Sequence, residues 1–253
     1  MATTRDYVEV TYNERDRPFT SYPGKLAQYL TDRYGIPQGA RILELGSGRG
    51  EFLKGFIDCG LIGHGVDRSP ATADHCPEAE FKIADLERDG IPYSDGYFDV
   101  VYSKSVVEHF YYPESVVGEM FRVLRPGGIS LTLTPDWHTN YRMFYCDYTH
   151  RTPFTLESLR DLLLIHQFSD VSVDRFRQLP LLWRYPKALL PLAELTRWAA
   201  PQAMKRHSKW VKFSKEIMLL GSATRPEGID GISCEESEDD LPMQAARREE
   251  PNR

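Results

Sequence analysis

The chain has 253 residues, of which 41% are hydrophobic, and a formal net charge of −6. A chain of this length can bury a full apolar core, so it needs neither disulfides nor a metal ion for stability. The negative charge argues against a protein that clamps nucleic acid over its whole surface. No CxxC pair occurs, which excludes a zinc ribbon and a thioredoxin-like pair; the four cysteines are Cys59, Cys76, Cys146 and Cys234.

The N-terminal stretch has no apolar core, so we expect no signal peptide. Apolar runs are too short for a membrane span, which needs about 20 residues. Widely spaced cysteines without a leader fit reduced thiols. We therefore expect a cytoplasmic protein.

Short apolar runs alternate with helical patterns from residue 41 to residue 176. This alternation predicts an α/β fold whose parallel sheet is covered on both faces. A first helix is predicted to follow Gly24, and Pro126–Gly128 to end the helix that precedes the fifth strand. The predicted strands are 41–46, 63–67, 81–85, 97–103, 129–134, 171–176 and 216–220.

The composition along the sequence divides the chain into three segments. Residues 1–40 are polar and aromatic and are expected to form a cap. Residues 41–222 form the main domain, with a helical insertion at 179–213. Residues 223–253 are predicted to be a disordered acidic tail, because nine acids and four arginines follow Thr224 with few apolar residues.

The first strand runs into the glycine-rich sequence ELGSGRG at residues 44–50. Glycines at 46, 48 and 50 allow a tight turn and a close approach of the backbone to a ligand. The dinucleotide fingerprint GxGxxG would need a glycine at position 51, where the chain has Glu51. The nucleoside triphosphate motif GxxxxGK[ST] is absent.

Acidic residues follow three predicted strands. Glu44, Asp67 and Asp85 each lie at a carboxyl end, so parallel strands would direct them to one crevice. A carboxylate there can accept hydrogen bonds from both ribose hydroxyls or from an adenine amino group. A row of acids disfavours a pyrophosphate and favours a cationic nucleoside without phosphate.

These motifs resemble the class I S-adenosylmethionine-dependent methyltransferases. The resemblance covers about 95 residues and four motifs in order: ELGSGRG at 44–50, GVD at 65–67, ADLERDGIPYSDGYFDVVYSKSVVEHF at 84–110 and FRVLRPGGISLTLTP at 121–135. It implies a Rossmann-like, mostly parallel sheet of seven strands with helices on both faces and an antiparallel last strand. It also implies S-adenosyl-L-methionine as the cofactor.

The resemblance assigns roles to individual residues. Gly46, Ser47, Gly48 and Gly50 would hold the methionine end, with Glu44 beneath the turn. Asp67 would hold the ribose, with Arg68 beside it. Asp85 and Leu86 would contact the adenine, and Ser103 would lie near the reactive methyl group.

A polar and aromatic loop follows the fifth strand. The sequence DYTHRTPFTLESLRDLL within it resembles, over about 20 residues, a loop of bacterial methyltransferases encoded with surface-polysaccharide and sugar-pathway enzymes. This resemblance implies a sugar or glycan hydroxyl as the acceptor. The aromatic and polar residues of the loop can stack on a ring and hydrogen-bond hydroxyls, and the expected substrate contacts are His138, Tyr141 and Tyr148. We therefore predict O-methylation of a small-molecule acceptor.

An alcohol oxygen must lose its proton during methyl transfer, so a general base is useful. The candidates are His109, Glu108, His138 and His150; His109 follows the fourth strand most closely. His150 with Asp147 could also form an oriented base pair. A cation held by Asp136, His138, Asp147 and His150 is an alternative, but no spacing demands it and we predict no metal site.

The insertion at 179–213 combines aromatic and basic residues. Such a segment can lie on an anionic membrane surface, which would suit a lipid-linked acceptor. A helical lid or a dimer contact explains the same pattern, and the oligomeric state stays open. The aromatic members are Trp183, Tyr185, Trp198 and Trp210.

Two other functions stay open. A natural-product phenol or quinone-like ring would also suit an aromatic loop. A regulatory protein that binds the cofactor without catalysis is the alternative from another class. No Asn-Pro-Pro-Tyr motif is present, so we expect no nucleic-acid substrate.

Overall fold

The computed structural model describes residues 10–11, 14–15, 17–70 and 75–228. Seven strands form one sheet in the order β3-β2-β1-β4-β5-β7-β6. The strands are β1 (Arg41–Leu45), β2 (Ile62–Asp67), β3 (Glu80–Ile83), β4 (Phe98–Lys104), β5 (Leu124–Pro135), β6 (Ser169–Phe176) and β7 (Met218–Thr224). The helices are α1 (Tyr22–Tyr34), α2 (Glu51–Asp58), α3 (Pro113–Val123), α4 (Trp137–Asn140), α5 (Leu156–Ile165), α6 (Pro180–Arg184), α7 (Pro186–Ala199) and α8 (Lys209–Lys215).

Strands β1 to β5 pair in parallel, and β7 runs antiparallel to both β5 and β6. This arrangement confirms the predicted fold class, including the antiparallel last strand. The chain order reverses between β1 and β4, whose carboxyl ends therefore border a crevice.

Successive residues of the central strands lie on opposite faces of the sheet. Ile42 and Val100 pack with the apolar residues of α1 and α2. Leu43 and Val101 pack with those of α3 and α5. Strands buried on both faces explain the near-continuous apolar runs in the sequence.

Helix α1 begins at Tyr22, three residues before the start predicted after Gly24. Pro23 lies in its first turn, where the fixed φ of proline suits a helix start. Gly24 lies inside the helix, because α1 approaches α2 closely there. A Cβ on Gly55 would lie 2.9 Å from Cα of Gly24.

Strand β5 begins directly at the end of α3, so Pro126–Gly128 lie inside the strand rather than in a separate stop. The pairing with β4 shifts between Phe98 and Val100, which accommodates this irregular start. The backbone of Arg225 pairs with this first part of β5. The Gly127 N–H donates to the Arg225 carbonyl and the Arg225 N–H donates to the Gly128 carbonyl, both at 2.8 Å. Ordered structure thus extends past the predicted boundary at residue 222.

The insertion is helical, as α6, α7, a 3-10 turn (Gln202–Arg206) and α8. Trp183 packs inward, stacked on Tyr29 at 4.8 Å, and its Nε1 donates to the Arg177 carbonyl at 2.7 Å. Trp198 is 87% exposed. Among the residues described, no helix has the length and apolar character needed to cross a membrane. The predicted tail lies outside the described residues from position 229 onward.

Candidate active site

The glycine turn links β1 to α2. Gly46, Gly48 and Gly50 have φ values of 61°, 54° and 76°, a region that other residues adopt only with strain. Gly46 is also sterically constrained, because a Cβ there would lie 2.6 Å from Cγ2 of Val106. The turn therefore packs directly against the segment that follows β4.

Asp67, at the end of β2, is fixed against the glycine turn. Its Oδ2 accepts the Gly48 N–H at 2.7 Å, and its Oδ1 accepts the Ser69 N–H at 2.8 Å. The carboxylate therefore lies at the crevice, beside the turn, where we predicted the ribose contact.

Asp85 lies two residues beyond β3. Its Oδ1 accepts the Glu87 N–H at 3.1 Å, and Nε of Arg68 lies 3.6 Å from its Oδ2. The Arg68 side chain is 77% exposed, whereas Leu86 is packed into the core. Asp85, Arg68 and Leu86 therefore lie together on the β2–β3 side of the crevice.

Glu44 is buried beneath the glycine turn. The backbone N–H of Leu53 interacts with the carboxylate, while Oε2 has no hydrogen-bond partner in the described part of the chain. Burial raises the pKa of Glu44 well above its usual value, and Lys104 opposes that shift. Ser103, on the neighbouring strand, likewise has a buried Oγ without a partner among the described residues.

A short 3-10 helix, Val107–His109, follows β4 and carries Glu108 into the interior. Glu108 is fully buried, and its Oε2 accepts the hydroxyl of Thr134 at 3.0 Å. Its Oε1 accepts no hydrogen bond within the described residues. Burial raises the pKa of Glu108 to about 7.

His109 is linked to Asp147 through the hydroxyl of Thr149. The Thr149 hydroxyl donates to Asp147 Oδ1 at 2.6 Å, and its oxygen lies 2.9 Å from Nδ1 of His109. Since the hydroxyl has one hydrogen, Nδ1 of His109 is the protonated nitrogen and Nε2 carries the lone pair. Burial, followed by the neighbouring His150, lowers the pKa of His109 to about 4.

His150 lies beside His109, with ring centroids 4.8 Å apart. Its Nδ1 lies 2.7 Å from the carbonyl oxygen of Phe144, so this nitrogen is the donor and Nε2 again carries the lone pair. Among the hydrogen bonds of the described residues, Asp147 accepts from Thr149 and Nδ1 of His150 faces the Phe144 carbonyl, so the pairing of His150 with Asp147 stays a prediction. Sequence reasoning missed Thr149; its signal is the Asp-x-Thr spacing, in which the Thr149 N–H also bonds to Asp147 at 3.0 Å.

The predicted substrate residues lie on the loop after β5. His138, Tyr141 and Tyr148 are 57%, 50% and 77% exposed. Of the alternative metal set, Asp136 and His138 lie together, with Nδ1 of His138 3.6 Å from Oδ1 of Asp136, while Arg175 lies 3.2 Å from its Oδ2. The four residues of that set do not form a cluster of potential ligands among the residues that the structure describes. A different cluster forms instead, in which one ligand atom each of Glu108, His109 and His150 lie within 4.8 Å of one another.

Arg49, within the glycine turn, is only 8% exposed. Its guanidinium lies 4.3 Å from the ring centre of Phe19 and donates to the Arg17 carbonyl at 2.9 Å. It also pairs with Glu51 at 2.6 Å. The segment before α1 is thus attached to the glycine turn, a long-range contact that local sequence patterns do not reveal.

Comparisons with known proteins agree with this geometry. Residues 43–132 match the family described as a methyltransferase domain. A probable S-adenosylmethionine-dependent methyltransferase of Mycolicibacterium smegmatis is 35% identical over 102 residues, which is 39% of each chain. Sterol 24-C-methyltransferase of Schizosaccharomyces pombe is 32% identical over 113 residues, covering 40% of this chain and 29% of the yeast protein. The match to a Mycobacterium methyltransferase spans 41% of that relative's length.

Two solved structures share the fold over most of the chain. A Haloferax volcanii methyltransferase in complex with the Trm112 activator has a TM-score of 0.66 and 20% identity, covering 88% of this chain and 100% of that one. Phosphoethanolamine N-methyltransferase 2 of Haemonchus contortus, with S-adenosylhomocysteine, has a TM-score of 0.62 and 16% identity, covering 90% of this chain and 61% of that one. At these identities the likeness concerns the fold.

The residues of the crevice fit S-adenosylmethionine, the cofactor of this domain class. The turn is open at Gly48, where a Cβ would meet only the Gly46 carbonyl oxygen 4.0 Å away, and the Asp67 carboxylate accepts the Gly48 N–H. Oε2 of Glu44 and Oγ of Ser103, which have no partner among the described residues, are buried near the ends of adjacent strands. Buried polar atoms of this kind are expected to hydrogen-bond a ligand, and a carboxylate there suits a cationic one.

Proposed function

We propose that this chain, whose residues 43–132 form an S-adenosylmethionine-dependent methyltransferase domain, methylates a hydroxyl oxygen of a sugar or glycan intermediate. The observation that carries the proposal is the cluster of Glu108, His109 and His150. Two of its members lie on the 3-10 helix that directly follows Val106, the residue packed against Gly46. Both histidines present an Nε2 lone pair, and such atoms are suited to an acceptor hydroxyl that must lose its proton.

S-adenosylmethionine supplies an electrophilic methyl carbon attached to a sulfonium. The acceptor oxygen forms a bond to that carbon while the carbon–sulfur bond breaks, and its electron pair stays on sulfur. The chain holds the two reactants in line, which is the largest part of such catalysis. Nε2 of His109 receives the hydroxyl proton, with Thr149 and Asp147 holding the ring in the required tautomer.

The surroundings of the cluster support a sugar acceptor. Several exposed tyrosines lie on the neighbouring loops and offer an apolar ring face together with a hydroxyl. A sugar presents alternating apolar and hydroxyl surfaces, so these side chains match it. They are Tyr111, Tyr112, Tyr141, Tyr145 and Tyr148, which are 50–77% exposed.

Helix α7 supports contact with an anionic membrane surface that carries a lipid-linked acceptor. Leu192, Leu195 and Trp198 lie at a three-residue spacing and are 49%, 59% and 87% exposed. The exposed cations Arg184 and Lys187 lie on α6 and at the start of α7. Exposed apolar residues flanked by cations favour adsorption to anionic lipid.

The function is tested by measuring S-adenosylhomocysteine release with a panel of acceptors. Nucleotide sugars, free and lipid-linked glycans and simple phenols are compared. Turnover on a sugar-bearing acceptor supports the proposal, whereas turnover on phenols alone contradicts it in favour of a natural-product ring. Tight cofactor binding without turnover on any acceptor would favour the non-catalytic alternative.

The membrane contact is tested by co-sedimentation with phosphatidylglycerol-containing vesicles. We expect the double variant Leu195→Ser, Trp198→Ser to lose most of the binding. Ile165→Ser is the matched control, since Ile165 is also apolar and 73% exposed but lies on α5. Equal binding by all three proteins, or no binding by the parent chain, would contradict the contact.

A further inference from the structure

We propose that Glu108, His109 and His150 bind a divalent transition-metal ion at the acceptor side of the crevice. The proposal concerns a site that the sequence did not predict, since the metal alternative considered there used other residues. Its role in methyl transfer rests on the proposed function; its binding of the metal does not.

The three donor atoms are already gathered. One ligand atom from each residue lies within 4.8 Å of the other two. Metal–nitrogen and metal–oxygen distances of about 2.1 Å place neighbouring donors roughly 3–3.5 Å apart around one ion. Side-chain movements of about 1 Å would therefore close the cluster around an ion.

The surrounding hydrogen bonds orient each side chain as a ligand. Nδ1–H of His109 donates to Thr149 and Nδ1–H of His150 donates to the Phe144 carbonyl. Histidines that bind a metal usually donate their second nitrogen in this way, which fixes the tautomer and the ring orientation. The carboxylate is fixed likewise, because Thr134 donates to one oxygen of Glu108 and leaves the other available.

The buried oxygen of Glu108 gives independent support. An unpartnered carboxylate oxygen in the interior is costly, since buried charges are normally paired or bound to metal. Lys104 interacts electrostatically with Glu108 but forms no ion pair with it among the contacts of the described residues. A cation at the cluster would satisfy Oε1 directly.

Two imidazoles and one carboxylate are the ligand set of open transition-metal sites, in which further positions stay available to substrate. An acceptor hydroxyl bound to the ion becomes more acidic, and its proton leaves to solvent. Nε2 of His109 would then be a metal ligand instead of the base. In a six-coordinate site the open positions would favour a sugar that presents adjacent hydroxyl groups, because both oxygens could bind one ion.

The test uses the full-length chain without an affinity tag, dialysed first against a chelator. Binding of Mn²⁺ and Zn²⁺ is measured by calorimetry, and bound metal is counted by elemental analysis. We expect one ion per chain, and at least 10-fold weaker binding for Glu108→Gln, His109→Ala and His150→Ala. His207→Ala is the control, since His207 is an exposed histidine of the insertion.

Bound S-adenosylhomocysteine verifies that each variant is folded. Co²⁺ absorption provides a second readout, since loss of a nitrogen ligand changes its visible spectrum. Absence of binding by the parent chain, or equal binding by all variants, would overturn the site. If the chain binds the metal but its methyltransferase activity is unchanged after treatment with the chelator, the site stands and its role in methyl transfer is overturned. Inactivity on every acceptor would instead contradict the proposed function.

Discussion

Thr149 determines which nitrogen of His109 carries a proton. Its hydroxyl hydrogen is directed to Asp147, so its oxygen accepts from Nδ1 of His109 at 2.9 Å. Nε2 is thereby left with a lone pair directed away from this contact. The same tautomer is required of a general base and of a metal ligand.

Replacing Thr149 with valine removes this contact at nearly constant volume. We expect kcat to fall about 10- to 100-fold, as for other residues that orient a catalytic histidine. Affinity for S-adenosylhomocysteine should not change, and Thr149→Ser should restore most of the turnover. Equal kcat for the valine and serine variants would contradict the positioning role.

Loss of the Asp67 carboxylate should weaken cofactor binding. Asp67→Ala removes hydrogen bonds of a charged acceptor, each contributing about 1.5–3 kcal/mol, so we expect affinity to fall at least about 10-fold. Calorimetry with S-adenosylhomocysteine measures the effect. Asp58→Asn is the control, because Asp58 is an exposed acid at the end of α2. Unchanged affinity would refute the ribose assignment.

The raised pKa of Glu44 should make the free energy of unfolding depend on pH. Its pKa in the folded chain is well above the usual 4.5, so folding favours the protonated form. Its contribution to the free energy of unfolding is thus full below about pH 4.5 and is lost as pH rises toward the folded pKa. Glu44→Gln cannot ionise and should escape this loss.

Urea unfolding of both proteins without cofactor, at several pH values, measures the difference. We expect the stability of the parent relative to Glu44→Gln to decline as pH rises above 4.5. A constant difference across this range would show that Glu44 titrates normally.

Gly46 and Gly39 separate two effects of adding a methyl group. Both have left-handed backbones, with φ values of 61° and 79°, so alanine at either position lowers the free energy of unfolding by about 1 kcal/mol. Only at Gly46 would the new Cβ meet Val106; at Gly39 nothing lies within 4 Å. Gly46→Ala should therefore lower the free energy of unfolding by about 1–3 kcal/mol more than Gly39→Ala does. It should also reduce turnover, because Val106 precedes the 3-10 helix that carries Glu108. Thermal unfolding and kcat measure these effects.

The position of a C-terminal truncation should decide its effect. Ending the chain after Gly228 removes only residues outside the described part, which composition predicts to be disordered. Ending it after Thr224 also removes the pairing of Arg225 with β5 and its guanidinium bond to the Leu124 carbonyl at 2.7 Å. We expect the second truncation to lower Tm by about 5–10 °C and the first to leave it unchanged. Equal Tm values would contradict the role of Arg225.

The fold was largely predictable because each strand carries its own signal. Apolar runs that end in Gly46 or Asp67 mark strands, and the motif order implies their arrangement. Element ends were harder, since Gly24 is placed inside a helix by its contact with Gly55, which lies on another helix. Arg225 extends the ordered chain through bonds to residues about 100 positions earlier, which no local pattern reveals.

The sequence drew attention to individual residues of the candidate site but not to the contacts between them. His109, His150 and Asp147 attracted attention because histidine and aspartate carry proton-transfer chemistry. Which of them meet depends on how the loop after β5 folds over the 3-10 helix. Thr149 was overlooked because a threonine in a polar loop has no distinctive chemistry until its two neighbours are known.

The insertion lies between two neighbouring antiparallel strands, β6 and β7. Its ends therefore leave and re-enter the sheet side by side, and neither strand bears the glycine turn or the Glu108 cluster. Lengthening such a connection costs little free energy. The insertion can therefore differ in length and sequence without displacing the strands that carry the glycine turn and Glu108.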